Sequence, residues 1–310
     1  MCVSITLWAS RVNDSVIYVP VSRCWPRVID EDRQVSAVDK HRTRVSQLIA
    51  DRPLSARSVL ASALLGADQP HLTVGELVAM ASLFGISEGA ARTCLWRMVS
   101  TGELTSDDGS YALAGRLSER RQRVDEASRI DDAAARQWDG TWELAIVSLE
   151  RRPAADRLEL RKAATALHLA ELREGVWIRP DNLDPQRLPM SRAVLDQQCT
   201  HFHSAATDIT ADTMRSLFAL DAWADDAIIL IDAMKDEPEA APTERDDATV
   251  SFAYQFALSI AVVRHLQLDP LLPVELTPAH WPGHMLRSTY RRFDEAFKQR
   301  MNRAFRQSPR

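Results

Sequence analysis

The sequence predicts an α+β fold, mostly α, and three observations carry that expectation. Most segments repeat their apolar residues at helical spacing. Two such segments, parted by a tight turn, run into an Asp-Gly hairpin at 107–109. Further on, a short apolar run with β-branched members, WELAIVSL at 142–149, alternates with helical stretches. The expected order is a winged helix-turn-helix, then a ferredoxin-like domain, then an all-helical C-terminal domain. A chain of 310 residues has room for two or three domains.

Residues 1–50 form an extension of unclear structure. Met1 to Val38 shows no steady period and is assigned none, while Lys40 to Ala50 can make a short helix. Residues 51–114 form the winged domain. Ser55 can cap a first helix to Leu65, with Val59, Leu60, Ala63 and Leu64 on its apolar side. Thr73 to Phe84 is a second helix, with Leu77, Met80, Ala81 and Phe84 on one stripe. Gly85-Ile86 breaks it, and Ser87 caps a third helix, Glu88 to Thr101, that Gly102 ends. On that helix Ala91, Cys94, Leu95 and Met98 share one face. Gly89, Arg92, Thr93, Trp96, Arg97 and Ser100 lie on or beside the other. Leu60, Leu64, Leu77, Phe84, Leu95 and Met98 are expected to bury one another.

Residues 115–139 read as a polar connecting helix, with Arg116, Arg120, Arg121 and Arg123 near its start. Residues 140–207 read as strand, helix, strand, helix, strand: Trp142 to Leu149, Asp156 to Glu174, Val176 to Ile178, Met190 to Gln198 and Thr200 to Ala205. Residues 208–310 hold helices at Met214–Lys235, Val250–Leu268 and His284–Phe305, with an acidic, Pro-containing loop at Asp236–Asp247.

Bulk chemistry narrows the function. An apolar content of 45% with 26% charged residues fits a packed core. A net charge of −5 excludes a protein that coats nucleic acid by bulk charge, although a local basic face can still meet phosphates. Cys2, Cys24, Cys94 and Cys199 include no CxxC pair, so neither a zinc ribbon nor a disulfide framework is indicated, and a reduced cytoplasm fits. No apolar run is long enough for a bilayer, and the start lacks the form of a secretory signal. There is no G-x-S-x-G, no P-loop and no G-x-G-x-x-G, so no cofactor is expected. Cys199, His201 and His203 can share a strand face, but no fourth ligand stands at a standard spacing.

Five stretches resemble the PaaX family, in the family's order. They are SARSVLASALLG (55–66), FGISEGAARTCLWRMVSTGEL (84–104), WDGTWELAIVSL (138–149), GVWIRPDNL (175–183) and DPLLPVELTPAHWPG (269–283). The resemblance runs from near Pro53 to near the C-terminus, and the last stretch is the most distinctive. It implies a DNA-binding transcriptional repressor, a homodimer on a palindromic double-stranded operator, released by an acyl-coenzyme A effector. It also implies a middle domain shaped like the small CRISPR-associated endonuclease subunit.

Two sets of residues follow as candidates. Ser87, Arg92, Thr93, Trp96, Arg97, Ser110 and Tyr111 form the DNA-contacting set. Arginine is the strongest type among them, since its planar fork bridges guanine O6 and N7 or holds a phosphate. Trp96 is expected to pack on the wing, as bulky aromatics usually bury. Trp177, Arg179, His265, His280, Trp281 and His284 belong to the resembling segments and are candidate lining for an effector pocket between domains. The alternative function is a metal-dependent nucleic-acid-processing enzyme built on the ferredoxin-like domain. It lacks a carboxylate cluster at the end of the first strand, where Ser148-Leu149-Glu150 stands.

Overall fold

The computed structural model describes residues 37–50, 55–69, 71–129, 138–149, 151–205, 208–236 and 245–307. The expectations for 1–36, for 130–137 of the connecting helix and for 237–244 of the acidic loop lie outside the described residues.

Three helices and three strands make the first unit: α1 is treated below, and the unit runs α2 (Ala56–Gly66), β1 (His71–Thr73), α3 (Val74–Ser82), α4 (Glu88–Ser100), β2 (Leu104–Asp107) and β3 (Ser110–Leu113). Each helix start satisfies its unpaired amides with a side chain. Ser55 Oγ accepts from the Ser58 amide at 3.2 Å and Ser87 Oγ from the Ala90 amide at 3.4 Å. Thr73 and Glu76 form a reciprocal capping box on α3. The three-residue strand β1 is not visible in the sequence, where Thr73 reads as the first helical residue. A strand that short shows no alternation, and its pairing to β3, Leu72 opposite Tyr111, comes from tertiary contact. The antiparallel sheet runs β1-β3-β2. Its hairpin turns on Asp108 and Gly109, both at positive φ (42° and 73°), as the hairpin twist requires. All six expected core residues, Leu60, Leu64, Leu77, Phe84, Leu95 and Met98, are buried together. Phe256, Ile260 and Phe297, from far along the chain, complete the same core.

Helix α5 (Gly115–Arg129) is more than a connector. It buries Leu117, Val124 and Ala127, and Arg121 donates to the Leu64 and Ala67 carbonyls at 3.0 and 2.8 Å. Those carbonyls close the C-terminal end of α2, where a cation is favoured. Its first residue must be glycine: Gly115 sits at φ 52°, and an added Cβ would lie 2.8 Å from the Gly102 carbonyl oxygen.

The middle unit runs β4 (Thr141–Val147), α6 (Ala154–Ala166), β5 (Ala170–Arg173), β6 (Val176–Pro180), α7 (Pro189–Gln198) and β7 (Cys199–Ala205). Its sheet order is β5-β6-β4-β7, antiparallel throughout, which is the ferredoxin-like βαββαβ arrangement. The expected helix to Glu174 is corrected here: it stops at Ala166, His168 takes φ 60°, and the remainder is the fourth strand. Leu167, Leu169 and Leu172 suit either period, and the Gly175 hairpin onto β6 decides for strand. One sheet face, with Ala145 and Trp177, packs on α6 and α7. The other, with Trp142 and Ile178, packs on Met214, Leu220 and Leu272.

The last unit holds α8 (Ala211–Leu217), α9 (Leu220–Lys235), α10 (Arg245–Leu266) and α11 (Gly283–Gln307). The single helix expected over Met214–Lys235 is two, parted at Ala219, whose φ is 48°. Helix α1 (Ala37–Ala50) belongs to this unit rather than to a loose extension. Val45 and Ile49 are buried beside Ala227, Leu230 and Leu258, and Arg44 grips Asp226 with two hydrogen bonds of 2.9 and 2.8 Å. No helix among the described residues is long and apolar enough to cross a membrane.

Candidate nucleic-acid interface

Helix α4 divides its residues by the helical period. Ala91, Leu95 and Met98 are buried, while Gly89, Arg92, Thr93, Trp96, Arg97 and Ser100 are exposed. Arg92 Nε donates to Glu88 Oε1 at 2.8 Å, with both side chains more than half exposed. An exposed i,i+4 pair contributes only about 0.3–0.5 kcal/mol, so the guanidinium can exchange it for a phosphate or a base edge. Thr93 Oγ1 donates to the Gly89 carbonyl at 2.8 Å, one turn back on the same helix. Trp96 does not pack on the hairpin as expected: it is 70% exposed, on an otherwise polar face. The helical spacing that buries Leu95 and Met98 forces the two residues between them, Trp96 and Arg97, outward. Ser87 holds the start of the helix through its cap, and so fixes where the first turn's amides point.

The hairpin carries the other two candidate residues. Tyr111 sits on the central strand β3, half-buried against the helical core, and Ser110 pairs opposite Thr73 and Asp107. The exposed tip is Asp107-Asp108-Gly109, whose two carboxylates repel phosphate. The sequence pointed to the Asp-Gly turn but not to this electrostatic consequence.

The six candidate effector residues do not line one pocket. Trp177 lies in the helix-side core of the middle sheet. Arg179, 2% exposed, donates to the Pro180 and Leu167 carbonyls and to Asn182 Oδ1, and Asn182 donates on to the Leu271 carbonyl at 2.9 Å. A buried guanidinium needs such partners for its donors, so Arg179 ties the sandwich to the segment before α11. His265 stacks on Trp223 at 4.6 Å, and Trp281 stacks on Trp223 at 4.5 Å. His265 Nε2 donates to the Trp223 carbonyl at 2.9 Å, and burial holds this imidazole below its ordinary pKa against that carbonyl's opposing pull. His280 and His284 are exposed. The distinctive late stretch is thus structural: Asp269 and Arg287 form a buried ion pair of 2.6 Å, and Arg287 Nε donates to the Ala127 carbonyl at 2.9 Å. A Cβ at Gly283 would come within 3.0 Å of both charged partners and 2.7 Å of Trp281 Nε1.

His201 Nε2 stands 3.0 Å from Asp196 Oδ1, and His203 Nδ1 2.9 Å from Asp181 Oδ2; no cluster able to hold a metal occurs among the described residues. Glu143, the carboxylate on β4, is buried in an ion pair with Arg192. A cleft of about 360 Å³, which no motif announced, lies between the α2–β1–α3 side of the first unit and helices α10 and α11.

Three family models match, in order, along the chain. The PaaX-like protein model covers residues 55–120, the PaaX protein central Cas2-like domain 135–215, and the PaaX-like protein C-terminal domain 220–307. The chain belongs to the PaaX family. The curated transcriptional repressor PaaX of Escherichia coli K12 is 27% identical to this PaaX-family chain over 270 residues, covering 76% of this chain and 78% of its own. A solved structure of an uncharacterized protein from Mycobacterium tuberculosis is 35% identical, with a TM-score of 0.58, and the match covers 80% of this chain and 98% of that one. The Cas2-like description of the central model agrees with the βαββαβ order of the middle unit.

Proposed function

We propose that this PaaX-family chain is a DNA-binding transcriptional repressor and not an enzyme. The family membership and the named repressor relative support the regulatory class. The observation that carries DNA contact is the outward face of α4, where Arg92, Thr93, Trp96 and Arg97 are exposed together. The order α2–β1–α3–α4–β2–β3 fits a winged helix-turn-helix whose second motif helix, α4, enters the major groove. Arg92 and Arg97 supply the bidentate donors, and Trp96 offers a flat apolar face to thymine methyls or sugar edges. Residues 51–114 act as the reading domain, 115–139 as its support, and 140–207 and 208–310 as the ferredoxin-like and helical bodies behind it. A homodimer places two α4 helices on the half-sites of a palindromic operator, and a small effector, an acyl-coenzyme A on the family pattern, releases it in the cytoplasm.

The decisive measurement is fluorescence anisotropy on DNA from the chain's own promoter. Replacing Arg92 and Arg97 together by alanine should abolish specific binding while the circular dichroism spectrum and sedimentation stay unchanged. Full operator affinity in that double variant would remove α4 from the interface. The alternative, a metal-dependent nucleic-acid-processing enzyme, is disfavoured by the pairing of Glu143 with Arg192, which takes up the carboxylate on β4.

A further inference from the structure

A chain of net charge −5 needs local positive charge to meet DNA, and the cations of α4 are Arg92 and Arg97. A second supply lies at the C-terminal end of that helix. The Ala114 amide donates to the Glu103 carbonyl at 2.8 Å, and a Cβ on Gly115 would lie 2.8 Å from the Gly102 carbonyl oxygen. The first turn of α5 is therefore fixed against the end of α4. From that turn Arg116, its side chain 75% exposed, reaches Glu159 on α6 at 2.7 Å. Arg121, further along α5, is committed to the Leu64 and Ala67 carbonyls. From Arg151 to Ala166 the chain carries five basic residues against Asp156 and Glu159. Arg151, Arg157, Arg161 and Lys162 are exposed, but they do not share one flank of α6. Lys162 follows Glu159 by three residues, about 60° round the helix, beside the Arg116 contact. Arg157 and Arg161 lie on the far flank, where Arg161 comes within 3.9 Å of Glu171 on β5.

We propose that Arg116 and Lys162 hold the DNA phosphate strand that borders the major groove at the C-terminal end of α4. The groove is about 12 Å wide, whereas α4, with 13 residues, is about 20 Å long, so that end extends to a bordering sugar-phosphate strand. The Arg116–Glu159 pair is exposed and weak, so the guanidinium can turn from carboxylate to phosphate, and the two cations outweigh the carboxylate left behind. Phosphate contacts carry no sequence information; they fix the depth and angle at which a reading helix sits. This one brings the middle unit onto the DNA, so the attitude of α6 to α4 enters the affinity. The inference rests on the proposed role of α4 in the groove.

The test is anisotropy titration of the full chain on operator and on unrelated duplex DNA, across a series of salt concentrations. Replacing Arg116 and Lys162 together by alanine should weaken both duplexes alike, by about tenfold at low salt, and keep the ratio between them. The slope of log affinity against log salt should fall by about 0.9 for each contact, about 1.8 in all. Glu159→Gln, which frees Arg116, should strengthen both duplexes by about two- to fivefold. Arg157→Ala with Arg161→Ala removes the same charge from the far flank and should keep the parent slope. A parent slope in the Arg116/Lys162 variant, an equal loss in the far-flank variant, or no gain from Glu159→Gln would each overturn the assignment. Specific binding that the Arg92/Arg97 variant loses and the Arg116/Lys162 variant keeps would sink this surface and leave α4 standing. The reverse pattern would keep the phosphate contact and remove α4.

Discussion

Two groups of arginines in this chain have opposite fates. Arg92 and Arg97 ride on the exposed face of α4, with Arg92 held only by its helical neighbour Glu88. Arg179 and Arg287 are buried, and their donors end on backbone carbonyls and on Asn182 and Asp269. Exposed guanidiniums are cheap to redirect, and buried ones are fixed by the penalty of leaving a charge unpaired. On the proposed reading of α4, the same residue type serves recognition in one place and assembly in the other, and burial decides which.

That contrast can be broken by mutation, beginning with the largest effect. Arg287→Met strands Asp269 in the interior and should lower unfolding free energy by about 3–5 kcal/mol in urea titrations. Stability unchanged within about 0.5 kcal/mol would mean that the pair holds nothing together. On the exposed side, Trp96→Ala should weaken the operator by about tenfold, roughly 1.4 kcal/mol, with an unchanged thermal midpoint. A drop in midpoint with intact DNA affinity would make Trp96 a packing residue after all.

A third comparison uses pH. His265 is neutral when folded because burial depresses its pKa, so the unfolded chain binds more protons below the ordinary histidine value of about 6.5. Stability is then fully present above that value and falls as pH drops through it, by at most about 1.4 kcal/mol per pH unit for this group. A melting midpoint that rises between pH 7 and pH 5.5 would contradict the buried, neutral state. The smallest effect is the cap: Ser87→Ala should cost about 1 kcal/mol and weaken the operator only modestly, since the cap sets how the first turn of α4 points.

The reading domain was largely legible because its signals are local. Caps at Ser55 and Ser87, the 3.6 period on α4 and the Asp-Gly turn each lie within a few residues. What escaped depends on partners distant in sequence. β1 exists only through β3 and β5 only through β6, and α1, whose helix is legible at Lys40 to Ala50, takes its place only from the groove between α9 and α10 that buries Val45 and Ile49. The scatter of the candidate effector residues has the same origin. Motif membership marked Arg179 and Trp281 as important, but it could not distinguish a residue that binds a ligand from one that joins two units. Trp96 failed in the opposite sense: its type argued for burial, while its register argued for exposure, and register won.

Phe256, Ile260 and Phe297 reach into the hydrophobic interior otherwise made by residues 59–117. Excised alone, that segment would present a greasy socket where three side chains had been, and should be prone to clumping. More broadly, α5 ties the front of the molecule locally, but that tie is not the whole of its support. Part of its orientation is set by anchor points more than a hundred residues downstream, so a tilt of the rear helices is passed on to the front.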